Sequence, residues 1–199
     1  MKRKRKIRCS ARLRSAQLVR LCLLGFSALL ASNSDAAQRT SSGEYEVKAA
    51  FLYHFAEFVD WPPDAFKNET SPLTYCTFGE DPFQGGLEAS LAGKTIGARP
   101  LRVRHVKQLQ EIPECQILFI AASQKKRITA ILASVKTAPV LTVADSDHFV
   151  NEGGVIGFLA EEKKIRFEIN LKAATDARLR ISAKLLALAE TVIGDPRVN

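Results

Sequence analysis

The chain has 199 residues, and its 29 Lys+Arg against 21 Asp+Glu give a formal net charge of +8, a balance that on its face invites a nucleic-acid partner. Nine of those bases and one acid fall in residues 1–36, leaving 20 bases and 20 acids over the other 163 residues. A neutral body has no general pull on DNA or anionic lipid, so the basic charge excludes itself as a functional clue.

Residues 1–36 read as an export leader. Lys2, Arg3, Lys4, Arg5, Lys6, Arg8, Arg12, Arg14 and Arg20 form a basic end without an acid. Leu21 to Leu30 is apolar but too short to span a bilayer as a stable helix, and Ser34-Asp35-Ala36 supplies small residues for cleavage. The sequence predicts a mature protein that begins near Ala37, lives in the periplasm and does not span the membrane. Its 163 residues make one domain with a sizeable core.

Residues 37–43 are polar and are expected to be loose. From Glu44 an amphipathic helix runs to about Asp60, with Val47, Ala50, Phe51, Phe55, Phe58 and Val59 near helical spacing and Trp61-Pro62-Pro63 as its stop. Leu73 to Phe78 reads as a strand ended by Gly79, and Pro82 to Leu91 as a short helix ended by Gly93. Leu101 to Val106 alternates apolar and basic residues, as a half-exposed strand does. Cys115 to Ile120 is a nearly continuous apolar run, typical of a strand covered on both faces, and Pro139 to Val143 reads as a second buried strand. Ser123 is read as the cap of a helix reaching Val135, and Asp145-Ser146-Asp147 as the approach to another helix.

Val155 to Ala160 and Ile165 to Asn170 form a hairpin about Glu161-Glu162-Lys163-Lys164, and two helices, near Leu171–Ala177 and Ser182–Val192, finish the chain. Strand alternating with helix is the signature of an α/β fold. The expectation is a single three-layer domain over residues 44–194. It has a mostly parallel sheet, helices on both faces, a C-terminal antiparallel hairpin at the edge, and a tail at 195–199.

The chemistry is sparse. Gly93-Lys94-Thr95 resembles the end of a phosphate loop, but Glu88 stands where that motif needs its first glycine. His54, His105 and His148 are scattered, with Glu57 near His54 and Asp145 near His148, and such pairs are ordinarily solvated. Asp60, Asp64, Asp145 and Asp147 read as helix caps. No nucleophile elbow occurs, so the expectation is no catalytic residue, no metal site, no cofactor and no enzyme. Cys9 and Cys22 leave with the leader. Cys76 and Cys115 remain in an oxidising compartment, either bonded or as buried thiols; a bond would close a loop of 39 residues and contribute about 3–4 kcal/mol. In Ile165 to Asn170 the apolar residues Ile165, Phe167 and Ile169 share one face, while Arg166, Glu168 and Asn170 share the other. That row is either the wet face of an edge strand or, with Arg178 and Arg180 nearby, a place for a small polar ligand or a partner's side chains.

Taken in order, several segments resemble one family, the YfiR family of periplasmic regulators. They are Glu46 to Pro62, Thr77 to Phe83, Cys115 to Ile120, Pro139 to Val143, Gly153 to Ile156, Ile165 to Leu171 and Ile181 to Leu186. The resemblance implies a non-enzymatic regulator that binds the periplasmic sensor domain of an inner-membrane diguanylate cyclase. It would hold the cyclase inactive, lowering cyclic di-GMP and biofilm formation. Cys76 and Cys115 match the family's pair; a second pair found in some members is absent near Val150 and Gly157. Glu168 and Arg180 match positions linked in the family to small-ligand binding, while Ser182 stands where a member has His. The contact candidates are therefore Arg166, Glu168, Asn170 and Arg180, with a homodimer compatible with the reading. The alternative is a ligand-binding sensory subunit for a histidine kinase or another membrane receptor.

Overall fold

The computed structural model describes residues 32–161 and 164–195. Most of the leader, residues 1–31, lies outside that range, as does most of the tail, 196–199. Contacts divide the chain between Ser42 and Gly43. Of the first unit only residues 32–42 are described, as the opening turns of helix α1 (Ser32–Glu57). Residues 37–43, expected to be loose, are therefore helical. Ala36, Ala37 and Gln38 are good helix formers, and nothing between Asn33 and Gly43 breaks a helix.

The second unit, from Gly43 onward, is built on an eight-stranded sheet. Its strands are β2 (Leu73–Phe78), β3 (Thr95–Ile96), β4 (Arg99–Val106), β5 (Ile117–Ile120), β6 (Leu141–Ala144), β7 (Ile156–Glu161), β8 (Lys164–Asn170) and β10 (Thr191–Ile193). Their order is β10-β8-β7-β6-β5-β2-β4-β3. Strands β4, β2, β5, β6 and β7 run parallel to one another, and β3 is antiparallel to β4. The β7–β8 hairpin is antiparallel, with Phe158 opposite Phe167 and Gly157 opposite Glu168. Val59–Asp60 (β1) and Arg180–Ile181 (β9) form a separate two-stranded antiparallel sheet. The expected α/β class and mostly parallel sheet are observed.

The C-terminus differs from the expectation. The last predicted helix shrinks to one turn, α5 (Ala183–Leu186), and Thr191-Val192-Ile193 becomes β10, parallel to β8. Three successive β-branched residues favour a pleated strand over a helix, and β8 offers them an open edge. The hairpin is consequently interior to the sheet. Ser123 is not a helix cap: residues Ala122–Arg127 form a 3-10 turn before α3 (Ile128–Val135), and the Ser123 hydroxyl accepts from the Glu80 N–H at 3.0 Å. The two loops approach so closely that a Cβ on Gly79, at φ 110, would stand 2.6 Å from that hydroxyl. After β6 the chain makes turns rather than a helix, and Asp145 and Asp147 bind Lys48 and Lys125 instead of capping one.

Both faces of the sheet are covered. On one, α1 inserts Ala49, Leu52, Phe55 and Ala56, joined by Tyr75, Phe119, Val143, Phe158 and Phe167. The stripe is displaced by a residue from the expected one, since Val47 is 45 % exposed while Lys48 is 2 % exposed. On the other face, Phe78, Leu118, Ile120 and Ala144 meet Ile128, Ile131 and Val135 of α3.

Candidate functional site

Strand β8 carries Arg166, Glu168 and Asn170 on the face opposite Phe167 and Ile169, as its alternation requires. The structure brings these three together on one strand. Arg180 lies on the separate two-stranded sheet, exposed and opposite Asp60 in register.

The three β8 residues do different things. Arg166 forms an exposed ion pair with Glu190, which immediately precedes β10, and so ties the strand to its new neighbour. Asn170 caps the helix that follows, α4 (Leu171–Asp176), by accepting from the Ala173 N–H at 2.9 Å, and it donates to the Val150 carbonyl at 2.8 Å. Both its polar atoms are therefore engaged by the fold. Glu168 lies across Gly157 of β7, where a Cβ would come within 3.0 Å of Oε1 and 3.4 Å of Val150. Gly157 thus makes room for this carboxylate. Burial pushes the Glu168 carboxyl above the usual range, and His148 opposes that shift. His148 itself sits at φ 62, in the left-handed region, which turns the loop after β6 back toward the strand.

Two of the clefts among the described residues lie beside the sheet. One, of about 440 Å³, is lined by Val135, Lys136, Thr142, Glu152, Asn170 and Lys172, and contains only Asn170 of the expected residues. The other, of about 450 Å³, is lined by Phe66, Lys67, Arg102, Arg104 and Gln116.

Cys76 on β2 and Cys115, two residues before β5, form a disulfide with Cα atoms 5.9 Å apart. Each cysteine is 1 % exposed. Soluble reductants reach exposed disulfides far more readily, so this bond acts in the fold as a clamp between neighbouring strands.

Sequence reasoning missed a buried charge network. The Lys48 ammonium is 3.0 Å from Asp145 and 2.5 Å from Glu44, and the Tyr45 hydroxyl donates to Asp145 at 2.6 Å. Burial and the Asp145 carboxylate push the Tyr45 phenol well above its ordinary value. The signal was present: Lys48 falls four residues before Leu52 and seven before Phe55, on the apolar stripe. The Asp145 side chain is otherwise nearly enclosed at 9 % exposure, so the lysine is its compensating charge.

One hydrogen-bonded row has the outline of a nucleophile, base and acid: Thr77 Oγ1 to His105 Nδ1 at 2.6 Å, then Nε2 to Glu88 Oε1 at 2.7 Å. Thr77 is 1 % exposed, so its hydroxyl does not reach a substrate. His54 bonds the exposed Glu57, as expected.

Comparison with known proteins gives a family. The profile of a family described as YfiR/HmsC-like matches residues 45–190. No curated protein matches the chain. Among solved structures, a conserved domain protein from Vibrio cholerae O1 biovar El Tor is similar at 11 % identity and TM-score 0.47, covering 65 % of this chain and 57 % of that one. The ABC domain of a Streptococcus pneumoniae protein, in complex with L-Trp, is similar at 12 % identity and TM-score 0.44, covering 66 % and 59 %. The chain thus spans less than two thirds of the length of either.

Proposed function

The chain belongs to the YfiR/HmsC-like family, and on that premise we propose that it is an exported, non-enzymatic regulator. It binds the periplasmic sensor domain of an inner-membrane diguanylate cyclase and holds that enzyme inactive. Cyclic di-GMP and biofilm formation fall as a result. The observation that carries this reading is the extent of the match, residues 45–190, which takes in the whole sheet apart from β10.

Other features agree with it. Residues 1–36 have the composition of an export leader, and the buried Cys76–Cys115 disulfide suits an oxidising compartment. No described helix is long and apolar enough to cross a membrane. A regulator without chemistry of its own acts only through unequal affinity for two receptor states. Binding the inactive state about 100-fold better supplies about 2.7 kcal/mol, enough to silence a balanced receptor.

The contact surface in this reading includes β8 and β9. Asn170 is spent on a helix cap and Arg166 on Glu190, so Glu168 and Arg180 carry most of the recognition there. The mature protein, immobilised and exposed to solubilised inner membranes, should retain the cyclase, and Arg180→Glu should reduce retention without lowering the melting temperature. Retention of a histidine kinase instead would replace the cyclase in this account.

A further inference from the structure

Three donors far apart in sequence converge beside the carboxyl ends of β2 and β4. They are Asp81 in the loop after β2, Glu88 on helix α2 (Gly86–Leu91) and His105 on β4, and one ligand atom from each lies within 4.8 Å of the other two. We propose that they bind a single divalent transition-metal cation of the zinc class, with a fourth position open to water or to a partner's side chain. Open α/β sheets place ligands at this end of their strands.

The donor set suits such an ion. One imidazole and two carboxylates are borderline-to-hard ligands, and three protein donors with an open position is the usual arrangement of a non-structural zinc site. Donors at about 2.0–2.2 Å from one ion stand about 3.3 Å apart, which small side-chain adjustments reach from here.

The surroundings point to a cation as well. His105 is held from behind, since Thr77, 1 % exposed, engages Nδ1 at 2.6 Å and leaves Nε2 facing Glu88. Metal-binding imidazoles are oriented in this way through their second nitrogen. Glu88 Oε2 is withdrawn from solvent and has no hydrogen-bond partner among the described residues. Asp81 is fixed by accepting from the N–H groups of Phe83 and Gly85, and a carboxylate keeps acceptor capacity beyond those two bonds. Among the described residues, the ion pair made by Glu88 is with His105, and no Lys or Arg compensates Glu88 or Asp81. A bound cation would meet all three conditions: the orphan oxygen, the uncompensated carboxylates and the oriented ring. The sequence hides this group because its donors are 7 and 17 residues apart, outside any local metal motif.

The inference stands independently of the regulatory reading. Its test uses the untagged mature protein with its disulfide intact, titrated with Zn²⁺ in competition with a chromophoric chelator. One equivalent should bind. His105→Ala, at an exposed position, and Glu88→Gln, at a half-buried one, should each weaken binding by about 100-fold or more. Thr77→Val should weaken it by about tenfold through loss of the group that orients the ring. His54→Ala, which removes the other histidine–glutamate pair, should bind like the parent. Circular dichroism confirms that each variant is folded. Failure of the parent to compete, or less than about a tenfold loss in both His105→Ala and Glu88→Gln, would overturn the proposal.

Discussion

The two faces of the sheet solve the same problem differently. The face under α1 is aromatic: Phe51, Phe55, Phe158 and Phe167 meet at centroid distances of 5.1–6.0 Å, mostly edge to face. The opposite face is smaller and largely aliphatic, covered by the eight-residue α3 and a 3-10 segment, and it holds the Cys76–Cys115 bond. Where packing area is ample, non-covalent contacts suffice; where the covering elements are short, a cross-link constrains the unfolded chain instead. The disulfide thus lies on the face that most needs it, which fits a structural role.

That contrast is open to direct attack. Phe55→Ala should cause the largest loss, about 3–5 kcal/mol, because its ring touches three other phenylalanines and is fully buried. Denaturant unfolding measures it, and a loss under about 1 kcal/mol would show that the aromatic face does not dominate. Lys48→Ala should be nearly as severe, also about 3–5 kcal/mol, since it leaves Asp145 buried beside Tyr45 without its cation. The double variant Lys48→Met with Asp145→Leu should recover most of that loss.

The paired change Cys76→Ser with Cys115→Ser should cost about 2–4 kcal/mol for a loop of 39 residues, less than Phe55→Ala. An equal or larger loss would reverse the ranking of the two faces. The smallest expected effect is a pH trend. The Glu168 carboxyl is raised in the folded state by burial, so that state holds its proton more tightly than the unfolded chain does. Stability should fall as pH rises from the ordinary glutamate range through the raised value, then level off. Glu168→Gln should flatten this trend in denaturant midpoints measured from pH 4 to 7, and an unchanged trend would remove Glu168 as its source.

Much of the fold was legible because its signals are local. The run Ile117–Ile120 is apolar throughout and Leu141–Ala144 is apolar but for Thr142, and both became central strands; the β7–β8 hairpin was set by an apolar run and an alternating run on either side of a polar turn. What failed to show depends on partners distant in sequence. Thr191–Ile193 is a strand because β8 has a free edge beside it, a fact written nowhere near residue 191. Ser123 looked like a cap but is drawn to Glu80 by the tight turn at Gly79. Of the expected site, alternation correctly grouped Arg166, Glu168 and Asn170, whereas Arg180 belongs to another sheet. Asn170 looked available in the sequence, but capping occupies it as soon as α4 forms.

The account's central claim is repression of a diguanylate cyclase from the periplasmic side. The most direct measurement is the intracellular cyclic di-GMP concentration in a strain lacking this protein, with cyclase expression held constant. The account predicts a rise that is reversed by the full-length chain and not by a version lacking residues 1–36. Unchanged cyclic di-GMP in the deletion strain would contradict it.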